Sequence, residues 1–526
     1  MTSESVINPA QGEIAGRTPV APAYSVLRSA PGFVVLAVAF ACASNYADPD
    51  LWVHVLAGQR MVATGHILTR DLYSYAASGL PWDNHEWLSE VVLGTSYRWL
   101  GVLGLKLVKL LCSAILMIAL AVALGRTGAP ARTQRVMLLV VATALISQIQ
   151  FRPTLFTLVM LSIVIAKLAA ETYRGPVRLW TLIPIFALWA NFHAGCFAGL
   201  GALGVFVLTC GLREYLIKGT LARTAVVAAV TLGCALATLV NPLGIRLWTT
   251  FLKSASDPLM RPIISDWAPL PIFLFHASRE SISEPIAYAV PLLLFVGLPA
   301  VLVETRVFDD AGLTAIALVF IAGAFYSNRN VGLAIIAVSI PLTHHLGIAA
   351  RNRGPDAVNT ISAQPRAALA LVAAVIIGMV GGELSGSLKT WEPVPEGAVA
   401  FMESHGLHGN ILNNYDWGGY LIWHLAPASR IFIDSRYQLV YSEKLRSQYL
   451  SFLYGWPVGN KVLNDYRHDF VLVEPGTGAF ELVNSDSRWK LIYRDPVASL
   501  YAKATDANAA ITPEISNESP VATFFP

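Results

Sequence analysis

Long apolar runs dominate the chain, and strict apolar–polar alternation is confined to its last quarter. The runs fall at 31–47, 102–124, 136–150, 154–170, 179–191, 196–212, 224–240, 286–303, 311–326, 331–349 and 367–385. A helix crossing the hydrocarbon core needs about 20 apolar residues, within a range of roughly 17–25. The pattern therefore predicts about eleven transmembrane helices. The stretch 179–212, flanked by Arg178 and Arg213, is too long for one span, and Asn191–Gly195 breaks it into two short ones.

Two segments depart from this pattern. In 45–101, residues 50–61 place Asp50, His54, Gly58 and Met61 on one helical face and Leu51, Trp52, Val55 and Leu56 on another. Residues 84–97 set Glu86, Ser89 and Glu90 opposite Trp87, Leu88 and Val91. Both read as short helices lying in the membrane interface. The second segment, 391–505, reads as a small α/β domain. It has strand-like runs at Arg430–Asp434 and Phe470–Glu474 and a hairpin through Asp495-Pro496. Asp434 and Arg436 are read as strand positions on opposite faces, so they need not act together. The glycine pair in Trp417-Gly418-Gly419-Tyr420 fits a tight turn, or aromatics that stack on a sugar. Residues 1–30 form a polar tail with no cleavage signal after it, and 506–526 a disordered tail. The expected organisation is a cytoplasmic tail, a membrane domain over 31–390, the α/β domain over 391–505, and the final tail.

Composition narrows the class. Only 13% of the 526 residues are charged, against roughly 25% in soluble proteins. The net charge is +3. Disordered chains, coiled coils and nucleic-acid binders all need more charge than this, so no nucleic-acid partner is expected. The five cysteines lie in apolar runs without metal-site spacing and read as core residues. Basic residues gather in alternate loops: Arg126, Arg132 and Arg135; Arg174 and Arg178; Arg213, Lys218 and Arg223; Arg351, Arg353 and Arg366. The positive-inside rule then places the N-terminus in the cytoplasm and the α/β domain outside. The loop 304–310, with Glu304, Asp309 and Asp310 against Arg306, fits this poorly.

With that topology, seven polar clusters face outward. They are Asp48-Pro49-Asp50, Asp83–Trp87, Gln148/Gln150/Arg152, Asn191/His193, Asn241–Gly244, Ser265–Trp267 and Ser327–Asn330. Ionisable groups at the membrane are costly and usually face a site. Each also has a plain structural reading. Asp48 fits a helix N-cap, Asp83 or Asn84 a second cap, and Arg152 a side chain snorkelling to the headgroups. Asn191 and His193 suit broken backbone, and Asn241–Gly244 a turn.

The pattern Asp48-Pro49-Asp50-Leu51-Trp52-x-His54, then Asp71-x-Tyr73-Ser74-Tyr75, then His85-Glu86-Trp87-Leu88, resembles the first outer loop of bacterial membrane glycosyltransferases of the GT-C type. Oligosaccharyltransferases, protein O-mannosyltransferases and aminoarabinose transferases are relatives. The likeness includes the Asn191-x-His193 and Asn241-Pro242-x-Gly244 turns. It implies an all-α polytopic membrane protein with a small C-terminal α/β extracytoplasmic domain, in a bacterial cytoplasmic membrane. It also implies transfer of a sugar from a polyprenyl-phosphate-linked donor to a lipid, glycan or protein acceptor at the outer, periplasmic face, among membrane lipids.

That chemistry needs a carboxylate base for the acceptor hydroxyl and cations for the departing phosphate. Asp48 is the first candidate base and Asp50 the second, with Glu86 a third catalytic acid. His54, His85, Arg152, His193 and Arg329 are candidates for binding substrate and phosphate. Asp48 and Asp50, with Glu86, can hold Mg2+ or Mn2+, since hard cations prefer carboxylate oxygens. The alternatives are a transporter or flippase of lipid-linked or anionic substrates, which would call for pseudo-symmetry and mid-span charges, and a non-catalytic scaffold. A glycosidase would need two carboxylates flanking a sugar.

Overall fold

A computed structural model describes residues 31–526 apart from 258, 260–263, 281–286, 354–377, 379–380, 383, 391–392, 519–523 and 526. The membrane part begins with α1 (Pro31–Cys42), a short strand β1 (Tyr46–Ala47), α2 (Asp50–Thr64) and α3 (Trp87–Leu124). It continues with α4 (Ala131–Ala144), α5 (Thr154–Arg174), α6 (Leu182–Phe192), α7 (Cys196–Lys218), α8 (Ala222–Ala237) and α9 (Arg246–Ala255). It closes with α10 (Leu270–Glu280), α11 (Ala289–Thr305), α12 (Ala311–Tyr326) and α13 (Val331–Asn352).

Among the described residues, four helices are long and apolar enough to cross a membrane: α3, α5, α7 and the helix Asn328–Asn352 that contains α13. Five shorter apolar helices accompany them. The stretch 179–212 divides into α6 and α7, with the break at His193–Gly195. Most of the expected span 367–385 lies outside the described residues. All five cysteines are free, and four are buried.

α3 is one 38-residue element bent at Gly101, whose φ of 57° and ψ of −143° interrupt the helix. The segment before the bend is the second helix expected of the first loop, and the segment after it is the apolar run. α2 and α3 cross where both lack side chains. A Cβ on Gly58 would meet the Glu90 carbonyl oxygen at 1.8 Å, and one on Gly94 the Gln59 nitrogen at 2.5 Å. This close approach brings His54, one turn before Gly58, onto Glu90, one turn before Gly94. α2 does not lie open on the membrane interface as expected. Leu51, Trp52, Val53 and Val55 are buried, because α2 packs between α3 and the C-terminal domain.

That domain comprises β2 (Lys389–Thr390), α14 (Glu396–Ser404), β3 (Asn410–Asn413), α15 (Gly418–Leu425), β4 (Arg430–Ile431), α16 (Glu443–Leu453), α17 (Asn460–Asp465), β5 (Phe470–Val473), α18 (Gly478–Asn484), β6 (Trp489–Arg494), β7 (Ser499–Lys503) and β8 (Glu514–Ile515). Six strands form one sheet in the order β4-β3-β5-β7-β6-β8. The pairs β3–β4, β3–β5 and β6–β8 are parallel; β5–β7 and the hairpin β6–β7 are antiparallel. All four residues of β5 are buried, as its unbroken apolar run Phe470–Val473 requires.

The first loop and this domain share a single hydrophobic core, separate from that of the helix bundle. β1 pairs in parallel with β2. Ser74 bridges to Ile431 at the sheet's β4 edge, with Tyr75 N donating to the Ile431 carbonyl at 3.0 Å. Trp417 and Tyr420 are buried rather than free to stack on a sugar, and the indole of Trp417 donates to the Pro393 carbonyl at 3.1 Å. The glycine pair between them is a contact surface: a Cβ on Gly419 would lie 2.6 Å from the Pro49 carbonyl oxygen.

Two further expectations are corrected. Asp434 and Arg436 do act together, because strand β4 ends at Ile431 and both lie beyond it, Asp434 in the loop that follows and Arg436 in the turn after that. The Asp434 carboxylate accepts the Arg436 backbone N–H at 3.0 Å and its Nε at 2.9 Å. The same guanidinium pairs with Asp71 at 2.7 Å and covers the ring of Trp82, so it fastens the first loop to the domain. The tail is also structured where described. β8 pairs with β6, and Phe524 stacks on Trp52 with ring centroids 3.9 Å apart.

Candidate functional site

Six of the seven polar clusters meet in a cavity of about 540 Å³ between the helix bundle and the C-terminal domain. Such a volume suits a ligand of moderate size. Asn241–Gly244 stays outside it. There Asn241 Oδ1 accepts the Leu243 N–H at 2.8 Å, forming the turn.

The helix starts and breaks place the side chains. Asp48 precedes α2, and its Oδ1 accepts the Asp50 N–H at 2.9 Å. Its other oxygen pairs with Arg152, the residue before the Pro153 that opens α5. Arg152 reaches Asp266 through its second nitrogen at 2.6 Å. Two carboxylates thus neutralise this arginine. The Asp50 carboxylate lines the cavity and enters no hydrogen bond or ion pair among the described residues.

A second constellation surrounds Glu86. His193 Nε2 lies 3.4 Å, His85 Nε2 3.7 Å and His54 Nε2 4.0 Å from its carboxylate oxygens. His54 Nδ1 contacts Glu90 at 3.2 Å, and Asn84 donates to the other oxygen of Glu90 at 2.6 Å. Arg329 sits on the cavity wall with Nη2 at 3.4 Å from His193. The structure thus brings Asp48 and Arg152 together, and Glu86, His54, His85, His193 and Arg329 together, with Asp50 on the same cavity.

Burial and neighbouring charges together set the protonation states. It pushes Asp48 up to about 6, against the pull of Arg152 and with help from Asp50. Burial opposes charge on His54, but Glu90, Glu86 and Asp50 outweigh it and hold the imidazolium up to about 9. Burial would also raise Glu86, yet His85, His54, His193 and Arg329 bring it down to about 2. Burial, with Arg329 and His85 against Glu86, drops His193 to about 3.

The tautomer of His193 bears on metal binding. Ligand-type atoms of His85, Glu86 and His193 lie within 4.8 Å of one another. His193 Nδ1, however, accepts the Gly195 N–H at 2.9 Å. The Thr157 hydroxyl, which accepts from the Trp189 indole at 3.0 Å, lies 2.8 Å from the same nitrogen. A ring nitrogen that accepts carries no proton, so the proton sits on Nε2 and points at Glu86. That atom has no lone pair for a cation. These three residues therefore do not fit a metal. Asp48, expected as a ligand with Asp50, is instead engaged by Arg152 and the Asp50 backbone.

Several site residues were not assigned roles from sequence. Glu90 lies one turn beyond Glu86 on the same face, a spacing that signals its place. Asp266 is the second carboxylate on Arg152. Tyr437 comes from the C-terminal domain with φ of 43°, the left-handed region that non-glycine residues seldom enter, and lines the cavity roof with Ser435 to Leu439. Nothing local in the sequence marks it.

No protein-family model and no curated protein matches the chain. Solved structures do. The Archaeoglobus fulgidus oligosaccharyltransferase in its apo form is similar at TM-score 0.55 and 10% identity, over 93% of this chain and 76% of that one. ArnT from Cupriavidus metallidurans bound to undecaprenyl phosphate matches at TM-score 0.47 and 14% identity, over 93% and 99%. The mycobacterial arabinofuranosyltransferase AftD matches at TM-score 0.47 and 13% identity, over 91% and 40%. The fold of this chain is similar to that of the oligosaccharyltransferase.

Proposed function

We propose that the chain is a membrane glycosyltransferase that moves a sugar from a polyprenyl-phosphate carrier to an acceptor hydroxyl at the rim of the bilayer. One observation carries this reading. A carboxylate without an ionic partner, Asp50, shares a cavity with Arg329 and a protonated His54, beside apolar helices that suit a lipid carrier. The GT-C fold supports it.

In this reading the acceptor oxygen attacks the anomeric carbon and the carbon–oxygen bond to phosphate breaks. The hydroxyl proton passes to Asp50, and the lipid phosphate leaves with its charge held by Arg329 and His54. Asp50 takes precedence over Asp48, which orients Arg152 and the start of α2. Glu86, held near 2, is too weak a base at neutral pH and serves to gather the three histidines. No step needs a metal. The basic-residue pattern supports a bacterial cytoplasmic membrane with the N-terminus inside and the C-terminal domain outside. The acceptor is a lipid, glycan or protein of the cell envelope.

The test is a host strain lacking the gene. Mass spectrometry of its glycolipids and surface glycans is expected to show loss of one glycan, restored by the wild-type gene. A glycan profile identical to the parent strain refutes the transferase.

The proton on His54 gives a pH signature. Its pKa is raised in the folded protein, so the cation is present below about 9 and lost as pH rises through it. Glu90, Glu86 and Asp50 are the charges that face it. Transfer should therefore decline above about pH 9, with weaker donor binding. His54→Gln should remove that alkaline limb, and a limb that persists in the variant assigns it elsewhere.

A further inference from the structure

Away from the cavity, the C-terminal domain carries a second concavity of about 640 Å³. It lies at the far end of α16, where Tyr454, Gly455, Asn460, Asn464, Glu481 and Arg488 line it. Beside it stand Tyr454 and Trp456, 49% and 55% exposed, with ring centroids 5.5 Å apart at an interplanar angle of 28°. Val458, also exposed, continues the ridge. The domain buries most of its large rings, so two exposed ones on a single ridge call for a ligand.

The ridge is rigid. Gly455 N donates to the Phe452 carbonyl at 3.0 Å and Trp456 N to the Ser451 carbonyl at 2.9 Å. Gly455 also abuts Gly478 so closely that a Cβ would lie 2.7 Å from its Cα. The lining is otherwise largely polar. Arg488 is fixed by Asp486 at 2.9 Å and by Asn464 at 2.6 Å. The side chains of Asn460 and Glu481 enter no hydrogen bond among the described residues.

An exposed aromatic pair beside amide, carboxylate and guanidinium groups has the chemistry of a sugar site. The rings take the C–H face of a pyranose or furanose, and the planar polar groups take its hydroxyls. Glu481 and Asp486 make the surface a poor match for anionic headgroups. The cavity lies within the reach of an oligosaccharide held in the groove. Arg446 of α16 pairs with Asp257, which lines the cavity, and Tyr454 lies eight residues further along the chain, about 12 Å at helical rise.

We propose that this groove binds the acceptor as an oligosaccharide, gripping units away from the end that receives the new sugar. The proposal rests on the transferase reading and deepens it by naming a glycan acceptor. The test is saturation-transfer NMR on the full chain in detergent, with linear tetrasaccharides of mannose, galactose and arabinose as probes. At least one should bind the wild type. Its Kd should rise about tenfold or more in Trp456→Ala and in Tyr454→Ala, both surface changes that leave the thermal midpoint in place. Asp50→Asn should retain glycan binding while losing transfer, which separates the two ideas. Binding unchanged in both aromatic variants overturns the groove. So does a wild type that binds none of the probes, or a Trp456→Ala effect confined to liposome or protein association.

Discussion

Asp50→Asn is expected to lower glycosyl transfer by about 10²–10⁴-fold, the range for loss of a general base, with little change in donor affinity. The argument is one of charge balance. Asp48 shares its oxygens between Arg152 and the Asp50 N–H, so each oxygen already has a partner. Asp50 lines the cavity with its carboxylate unpaired. Asn keeps the size and a helix-start residue, so the fold survives while the proton acceptor is lost. In the native host, the variant should reproduce the glycan profile of the deletion strain. If Asp50→Asn restores the wild-type profile and Asp48→Asn does not, the base is Asp48 and the order proposed above is reversed.

Arg329→Met is expected to cost about 10²–10³-fold in kcat, the magnitude for removing one donor that stabilises developing charge. Arg152 is matched by two carboxylates and has little charge to offer a phosphate, and Arg436, on the cavity roof, is held by Asp434 and Asp71. Among the described residues Arg329 enters no ion pair, and His193 Nε2, 3.4 Å from its Nη2, carries a proton rather than accepting one, so the charge of Arg329 is available to the leaving group. Arg329→Lys should recover part of the loss, since it keeps the charge but not the fork. A purified Arg329→Met enzyme with unaltered kcat on lipid-phosphate sugar would remove Arg329 from the phosphate site.

Much of this site was legible because the chain is so poor in charge. In a membrane protein each cluster of polar residues stands out, and six of seven reached one cavity. Their pairing was not legible. Whether Arg152 meets one acid or two depends on Asp266, more than 100 positions away. The tautomer of His193 depends on the Gly195 N–H, a backbone detail that spacing does not encode. The misfitting loop 304–310 has a local answer that single-position reading missed. Asp310 pairs with His345 at 3.2 Å and Asp309 with His344 at 3.1 Å, so these acids meet imidazoles supplied by α13. The α/β domain was visible from β5 and the β6–β7 hairpin. The burial of α2 was not, because an amphipathic helix looks the same whether lipid or protein covers its apolar face.

The stacking of Phe524 on Trp52 joins residues 472 positions apart in the chain, and the Trp52 indole donates to the Phe524 carbonyl at 2.7 Å. Trp52 lies between Asp50 and His54 on α2. The helix that bears the proposed base is therefore seated by a partner 472 positions further along the chain. Displacing that segment would unseat α2, and with it Asp50 and His54, without touching either side chain.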